Sequence, residues 1–572
     1  MTEAEILALL KREREASKGE DADTLSHDRK RALDYYFART DQGEFVRDLP
    51  LEEGRSKAIS TDVSDGVESL TPDLVEIFTA GDNAVEFSPV GEEDEEQAEQ
   101  ETEYINHVVR EQNDGFMLFY TNFKDALISK IGVFKWWWEE TDETEERVYE
   151  EKTQEQYRAL LAMAKDSDAE LVEDEADIEA DPDTNLYTFR MRRIKRRGRA
   201  RVANVAPEDF RVDPGATSIR DANWAGNYAR PRAFELIRQG FDEDKVASLE
   251  DIDAPDETEK DARNLQKDSL DRRAQARSTD LHRRVKIFEY HIWIDREGNG
   301  EVECWKFITG NDDTVLLDEE KINGIQYSVT TPFPTTHEFY GRSLADLLAP
   351  IQLVKTALLR HGLDAHYFSV NPRPEVSMQG ASEHTFADLQ NNMPGYPIRV
   401  ETPGTVNWQA PPNIGDNVLN MLEYMNVDGE KRAGVVRNAQ GLNPDTLHDT
   451  KGGLQELMSN AQKRVRMIAR LFAETGVRDM YLGLHDLVVR HGKQRDTFRL
   501  RNDYVEVDPN KWDRRKDITI DVGLGTSTKA GEMAFWTQVL GFQAQAAEFG
   551  LVDQRHVYNA FKQYLKAGNV RH

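Results

Sequence analysis

The order of parts between Phe339 and His491 limits the folds open to this chain more than any other feature. An apolar stripe at helical spacing, Leu347, Leu348, Ile351, Val354 and Leu358, continues through Leu359 and Leu363 to Tyr367 and Phe368. Asn371-Pro-Arg-Pro374 stops it, because proline has no N–H to give a helix and clashes with the turn behind it. A Pro/Gly-rich insert spans Asn371 to Pro412, and a second stripe of Val418, Leu422 and Met425 resumes from Ile414 and reaches toward Val436. The polar stretch Arg437 to Gly453, rich in breakers, precedes one long periodic segment from Leu454 to about His491. At 1.5 Å per residue that last helix measures on the order of 55–60 Å, with Gly476 as a place to bend. Two helices sent out and back around a small irregular insert build an elongated hairpin. No catalytic constellation accompanies it, so the chain is read as one that assembles and conducts.

Length and charge narrow the class. At 572 residues the chain has room for about three or four domains. Its 38% hydrophobic and 31% charged content fits a soluble protein, and no apolar run approaches the ~20 residues of a membrane helix. The acidic start, Met-Thr-Glu-Ala-Glu, is unlike a signal peptide. Cys304 is the single cysteine, which excludes an internal disulfide and a cysteine-cluster zinc site and points to a reducing compartment. A net charge of -33 argues against gripping nucleic acid over most of the surface. It suits a conduit with few phosphate contacts, and equally simple solubility.

The fold class is α+β and helix-rich. Thr2 and Glu5 stand at capping-box spacing for a first helix to Ala16. Pro72, within the stripe Val63 to Phe78, predicts a turn or bend, and Gly91 to Glu103 reads as a helix with an acidic start. Ile131 to Glu140 reads as a strand whose three tryptophans, Trp136 to Trp138, cannot share one face. Burial on both faces and a subunit contact are both open for them. Asp166 to Asp183 reads as an acidic excursion, and Tyr187 to Arg201 as a basic hairpin turning near Gly198 that binds phosphate or pairs with the neighbouring acids. Asp251 to Arg277 reads as a surface excursion, and Val285 to Ile308 as a hairpin.

Ordered phrases carry a resemblance. They are Phe78-Thr-Ala-Gly-Asp82, Asn113-Asp-Gly-Phe116, Ala206-Pro-Glu-Asp-Phe210, Glu338-Phe-Tyr-Gly-Arg-Ser-Leu-Ala-Asp346, Gly441-Leu-Asn-Pro-Asp-Thr-Leu447, Arg470-Leu-Phe-Ala-Glu-Thr-Gly476 and Val522-Gly-Leu-Gly-Thr526. Together they resemble the portal proteins of tailed bacteriophages, closest to those of short-tailed phages. The resemblance implies a dodecameric ring at one capsid vertex, a virion component assembled in the host cytoplasm, through which double-stranded DNA enters and leaves. It implies a wing over 1–340, stem helices over 341–370 and 413–436, a clip over 371–412 and a tunnel loop over 437–452. The long wing helix and following strands would occupy 453–528 and a crown 529–572, without an extended C-terminal barrel. Partners implied are further copies of the chain, the terminase large subunit, major capsid and scaffolding proteins and a neck or adaptor protein, with no membrane and no cofactor.

Within that frame Arg437, Asn438, Gln440 and Lys451 of the tunnel loop are candidates to touch DNA, or they pack loop on loop. Arg373 and Arg399 of the clip are candidates to meet partners, or they are ordinary surface arginines. An enzyme reading finds little support. Gly523-Leu-Gly-Thr-Ser-Thr-Lys529 lacks the Gly-Lys-Ser/Thr ending of a phosphate loop, and the preceding Asp517 to Asp521 reads as a plain strand. His361 and His366 are off the one-face spacing of helical zinc ligands. The alternatives kept are a carboxylate-dependent DNA-processing enzyme and a capsid scaffold without a channel.

Overall fold

The first helix, α1 (Glu3–Ala16), begins at a capping box: the Thr2 hydroxyl accepts from the Glu5 N–H at 3.4 Å, and the Glu5 carboxylate accepts from the Thr2 N–H at 2.8 Å. The computed structural model describes the chain except residues 18–19, 40–46, 80–83, 90–94, 154, 157, 159–169, 173–178, 181–186, 251–262, 264–282, 392, 394, 410–414, 434–462, 493–495, 501–502, 508, 510–511, 513–517, 520–528, 548–553 and 568–572. The expected excursion at Asp251 to Arg277 therefore lies outside the described residues, Arg263 excepted.

Helices α2 (Glu20–Phe37), α3 (Asp62–Thr79), α4 (Glu95–His107) and α5 (Gly115–Ser129) build the main core with the later helices 463–472 (α11) and Arg478–His491 (α12). The turn expected at Pro72 does not form. Helix α3 runs through it, because buried Thr71, Leu74 and Val75 hold both halves in one core, which outweighs one missing backbone hydrogen bond. Between α11 and α12 the helix widens into a π turn at Ala473–Val477. A Cβ on Gly476 would lie 2.4 Å from the Thr330 methyl, so only glycine lets that turn meet the strand beneath it.

Two five-stranded antiparallel sheets adjoin this core. In one, β2 (Gly132–Lys152) lies between β11 (Tyr327–Thr330) and β5 (Tyr187–Val205), with β3 (Glu170–Val172) and β4 (Glu179–Ala180) on β5. The other follows the order β10 (Val315–Ile322), β9 (Glu303–Gly310), β8 (Ile287–Ile294), β7 (Trp224–Ala229), β6 (Phe210–Val212), and it contains the expected hairpin. Helix α1 lies on it, with buried Arg14 ion-paired to Asp312 and Asp313, both at 2.9 Å. Short helices α6 (Ala233–Arg238) and α7 (Glu243–Ala247) share a smaller apolar cluster with β8 and β10. At the seam between the sheets Lys135 meets Glu289 at 2.5 Å and Tyr327 donates to Asn227 at 2.6 Å.

The hairpin expected near Gly198 is a correction. β5 is one continuous strand, and Gly198 sits opposite Glu140 in the middle of it. A Cβ there would lie 2.3 Å from the Trp138 ring, as one on Gly483 of α12 would lie 2.2 Å from Trp136. The glycines are slots for two indoles, and the buried Trp136 belongs to the main core. Trp137, on the opposite face of β2, takes the Lys135 ammonium at 5.8 Å from its ring. The basic run is matched in register by acids of β2: Glu139 stands opposite Arg199, Asp142 opposite Arg196, Glu143 opposite Lys195, Glu145 opposite Arg193 and Glu146 opposite Arg192. Of the acidic excursion, Glu170–Val172 and Glu179–Ala180 are strands paired to β5.

Toward the end, β1 (Glu86–Phe87) pairs with β16 (Ile518–Thr519), and β14 (Asp496–Leu500) with β15 (Asp503–Val507). The Asp517 to Asp521 segment thus supplies a strand, as expected, while the following loop lies outside the described residues. Helices α13 (Lys529–Ala547) and α14 (Gln554–Ala567) pack together.

Candidate channel hairpin and docking insert

Helix α8 (Leu344–Val370) starts at a second capping box, with Ser343 Oγ accepting from the Asp346 N–H at 3.0 Å and Asp346 accepting from the Ser343 N–H at 2.9 Å. Pro350 lies inside it, so the helix begins before the proline, and it ends at Asn371 where the sequence stops it. Its partner is α10 (Gly415–Ala433). A Cβ on Gly362 would lie 3.0 Å from Val418, and one on Gly429 3.8 Å from Ile351. These near approaches stand eleven residues apart on both helices, which fixes an antiparallel register. Val418 and Leu422 are half-buried on the inward side, and Met425 packs against the main core.

The outer surface of this hairpin is unusually apolar. Of the 25 exposed large hydrophobic residues among the described positions, eight lie on α8 and α10 and five more on the insert between them. Tyr367 is 74% exposed, Tyr424 72% and Leu419 65%. On α10, Leu419 and Met421 point to opposite flanks, about 160° apart at 100° per residue. Scattered apolar residues are ordinary, but a concentration of this kind marks an interaction surface.

The insert between the helices is a small folded unit. β12 (Pro374–Val376) pairs with β13 (Val406–Trp408), and Ala381 bridges Val400. Strands and turns were expected; the six-residue helix α9 (Thr385–Gln390) was not, since it is too short for a stripe to show. Asp388 of α9 accepts from the Arg399 N–H at 3.0 Å, Nε at 2.9 Å and Nη2 at 2.8 Å. Hydrogen bonds from the Arg399 side chain and backbone lower the Asp388 pKa to about 2. Arg399 therefore closes the insert on itself, although its side chain is 58% exposed. Arg373 lies over the Phe368 ring at 5.3 Å, joining the insert to the end of α8, and Arg55 reaches the same ring at 6.0 Å. Arg437, Asn438, Gln440 and Lys451 lie outside the described residues, while Arg373 and Arg399 sit on separate contacts, with Phe368 and with Asp388, and each has an intramolecular role.

A set the sequence reading missed lies along α8. Gln352, Thr356, Arg360 and Asp364 recur every four residues and grip the segment from Leu49 to Val63. Gln352 Oε1 accepts from the Val63 N–H (2.9 Å), Thr356 Oγ1 from the Ser60 N–H (3.1 Å) and Asp364 Oδ1 from the Ser56 N–H (2.7 Å). Arg360 donates to the carbonyls of Ala58 (3.0 Å) and Leu49 (3.1 Å). Gln352 and Thr356 are fully buried. The only advance signal was their four-residue spacing.

Among the described residues no group of three or more His, Cys, Asp and Glu is placed to hold a metal ion, and no helix is long and apolar enough to cross a membrane. Cys304 is buried, and burial pushes its thiol up to about 12, away from nucleophilic use.

The described residues thus form a mixed α/β body and a helical hairpin with exposed apolar residues and a small folded insert. Over residues 6–572 the chain matches the family described as phage SU10 portal protein. The chain belongs to that family: it is a bacteriophage portal protein, a component of the virion.

Proposed function

We propose that twelve copies close into a ring at one capsid vertex, forming the channel through which double-stranded DNA is packaged and later ejected. The α8–α10 hairpin forms the stem, the insert 371–412 is the clip that docks the terminase large subunit and then a neck protein, and 437–452 is the tunnel loop. Residues 1–340 form the wing that meets capsid and scaffolding proteins, and α13–α14 the crown. The observation that carries this reading is the apolar dressing of the hairpin, with exposed Leu419 and Met421 on opposite flanks of α10. A head-to-tail ring uses two different surfaces of each subunit, one toward each neighbour. The chain acts passively and needs a separate ATPase to drive the DNA.

Deleting Asn438 to Thr450 tests the loop. Assembly should persist while DNA packaging or retention falls, and normal packaging by the deleted protein would remove the loop's role. Metal-dependent cleavage of DNA by the purified chain would instead revive the processing-enzyme reading.

A further inference from the structure

We infer that Gln352, Thr356, Arg360 and Asp364 are positioning residues that set the roll of α8 about its own axis, and with it the flank that each subunit presents in the channel wall. This deepens the proposed function and rests on it for the channel, but not for the geometry.

The segment they grip runs antiparallel to α8: going up the helix from 352 to 364, the bonded main-chain positions descend from Val63 through Ser60 and Ala58 to Ser56. The helix rises ~6 Å per four residues and an extended chain ~3.3 Å per residue. From Ser60 to Ser56 the strap advances two residues per rung, ~6.6 Å, and so keeps step with the ladder, while the three-residue step to Val63 enters the first turn of α3. Each rung meets a backbone N–H or carbonyl, so the ladder reads chiefly the position of the strap; Asp364 also meets the Arg55 side chain, at 3.4 Å. Ile59, between two rungs, packs against the main core, which ties the strap to the body of the protein.

The opposite side of α8 is held as well. Ile351 and Gly362, which approach α10, lie roughly 150° around the helix from the centre of the ladder. Gripped from both sides, α8 cannot roll, and the flank bearing Val354, 42% exposed, is fixed outward. Cutting rungs frees one grip and leaves the apolar packing against α10 intact.

The test uses the full chain carrying Val354→Cys, a clean probe because Cys304 is buried. In this background Thr356→Val with Asp364→Leu removes two acceptors, whereas Thr356→Ser with Asp364→Asn keeps them. Amide exchange at Ser56 and Ser60 should quicken roughly tenfold in the first pair, the size of one lost hydrogen bond each, and return in the second. The labelling rate of the thiol at 354 should shift several-fold in step and recover with the conservative pair, in the ring and in the unassembled chain. Faster exchange with unchanged labelling would make the strap a mere tie and overturn the inference, as would unchanged exchange. Should the unsubstituted chain form no ring, the channel reading falls, while exchange and labelling on the single chain still decide the roll.

Discussion

Two residue pairs carry pH predictions in different pH ranges. His291 accepts the Gln326 N–H on Nδ1 at 3.0 Å, so Nε2 carries the proton toward Glu289 at 3.0 Å. Burial lowers the His291 pKa, against the opposing pull of Glu289 and helped by Lys135 and Lys306. Glu289 is also held low: burial opposes this, and Lys135 and His291 outweigh it. A depressed histidine contributes stability that is present above its unfolded value near 6.5 and is lost as pH falls below it. Unfolding free energy should therefore fall between pH 7 and 5, by at most about 1.4 kcal/mol per pH unit for one proton, and the slope should flatten in His291→Gln. Asp388 works in the same direction at lower pH. Its stabilising ionisation is complete above the unfolded value near 3.9 and is lost only as pH falls through about 2. Arg399→Gln should raise the Asp388 pKa, read by carboxylate NMR, and an unmoved value would deny the bidentate pair. Neither environment was legible in the sequence: the Lys135 that holds Glu289 ionised comes from a strand 154 residues away, and Asp388 meets Arg399 only once the insert folds.

At the scale of elements, what sequence shows depends on whether the cause is local. The capping box at Thr2, the stop at Asn371 and the β8–β9 hairpin are set by residues within a few positions of one another, and all stand where expected. Gly198 is the contrary case. In a basic run it reads as a turn, yet its real constraint is an indole on the neighbouring strand. At Pro72 only the turn is excluded, since buried neighbours carry the helix through the proline. The candidate site divides the same way: the hairpin and insert were legible, but the intramolecular partners of Arg373 and Arg399 and the strap ladder were not. Gly483→Ala should push a methyl into Trp136 and destabilise the fold by about 1–3 kcal/mol, measured by denaturant unfolding; a neutral effect would place Trp136 elsewhere. Leu422→Asp should break the α8–α10 packing and reduce ring yield in a purification. An unchanged yield would refute the stem assignment.

For the whole molecule, the account turns on the apolar surface that a lone chain leaves open around its helical hairpin. Family membership places the protein in the virion as a portal protein, and the proposed ring gives those residues their neighbours. Images of the purified protein viewed along the particle axis test this most directly. The account predicts twelve-fold annuli with a central opening wide enough for a DNA duplex. Monomers, filaments or solid particles at all concentrations would contradict it.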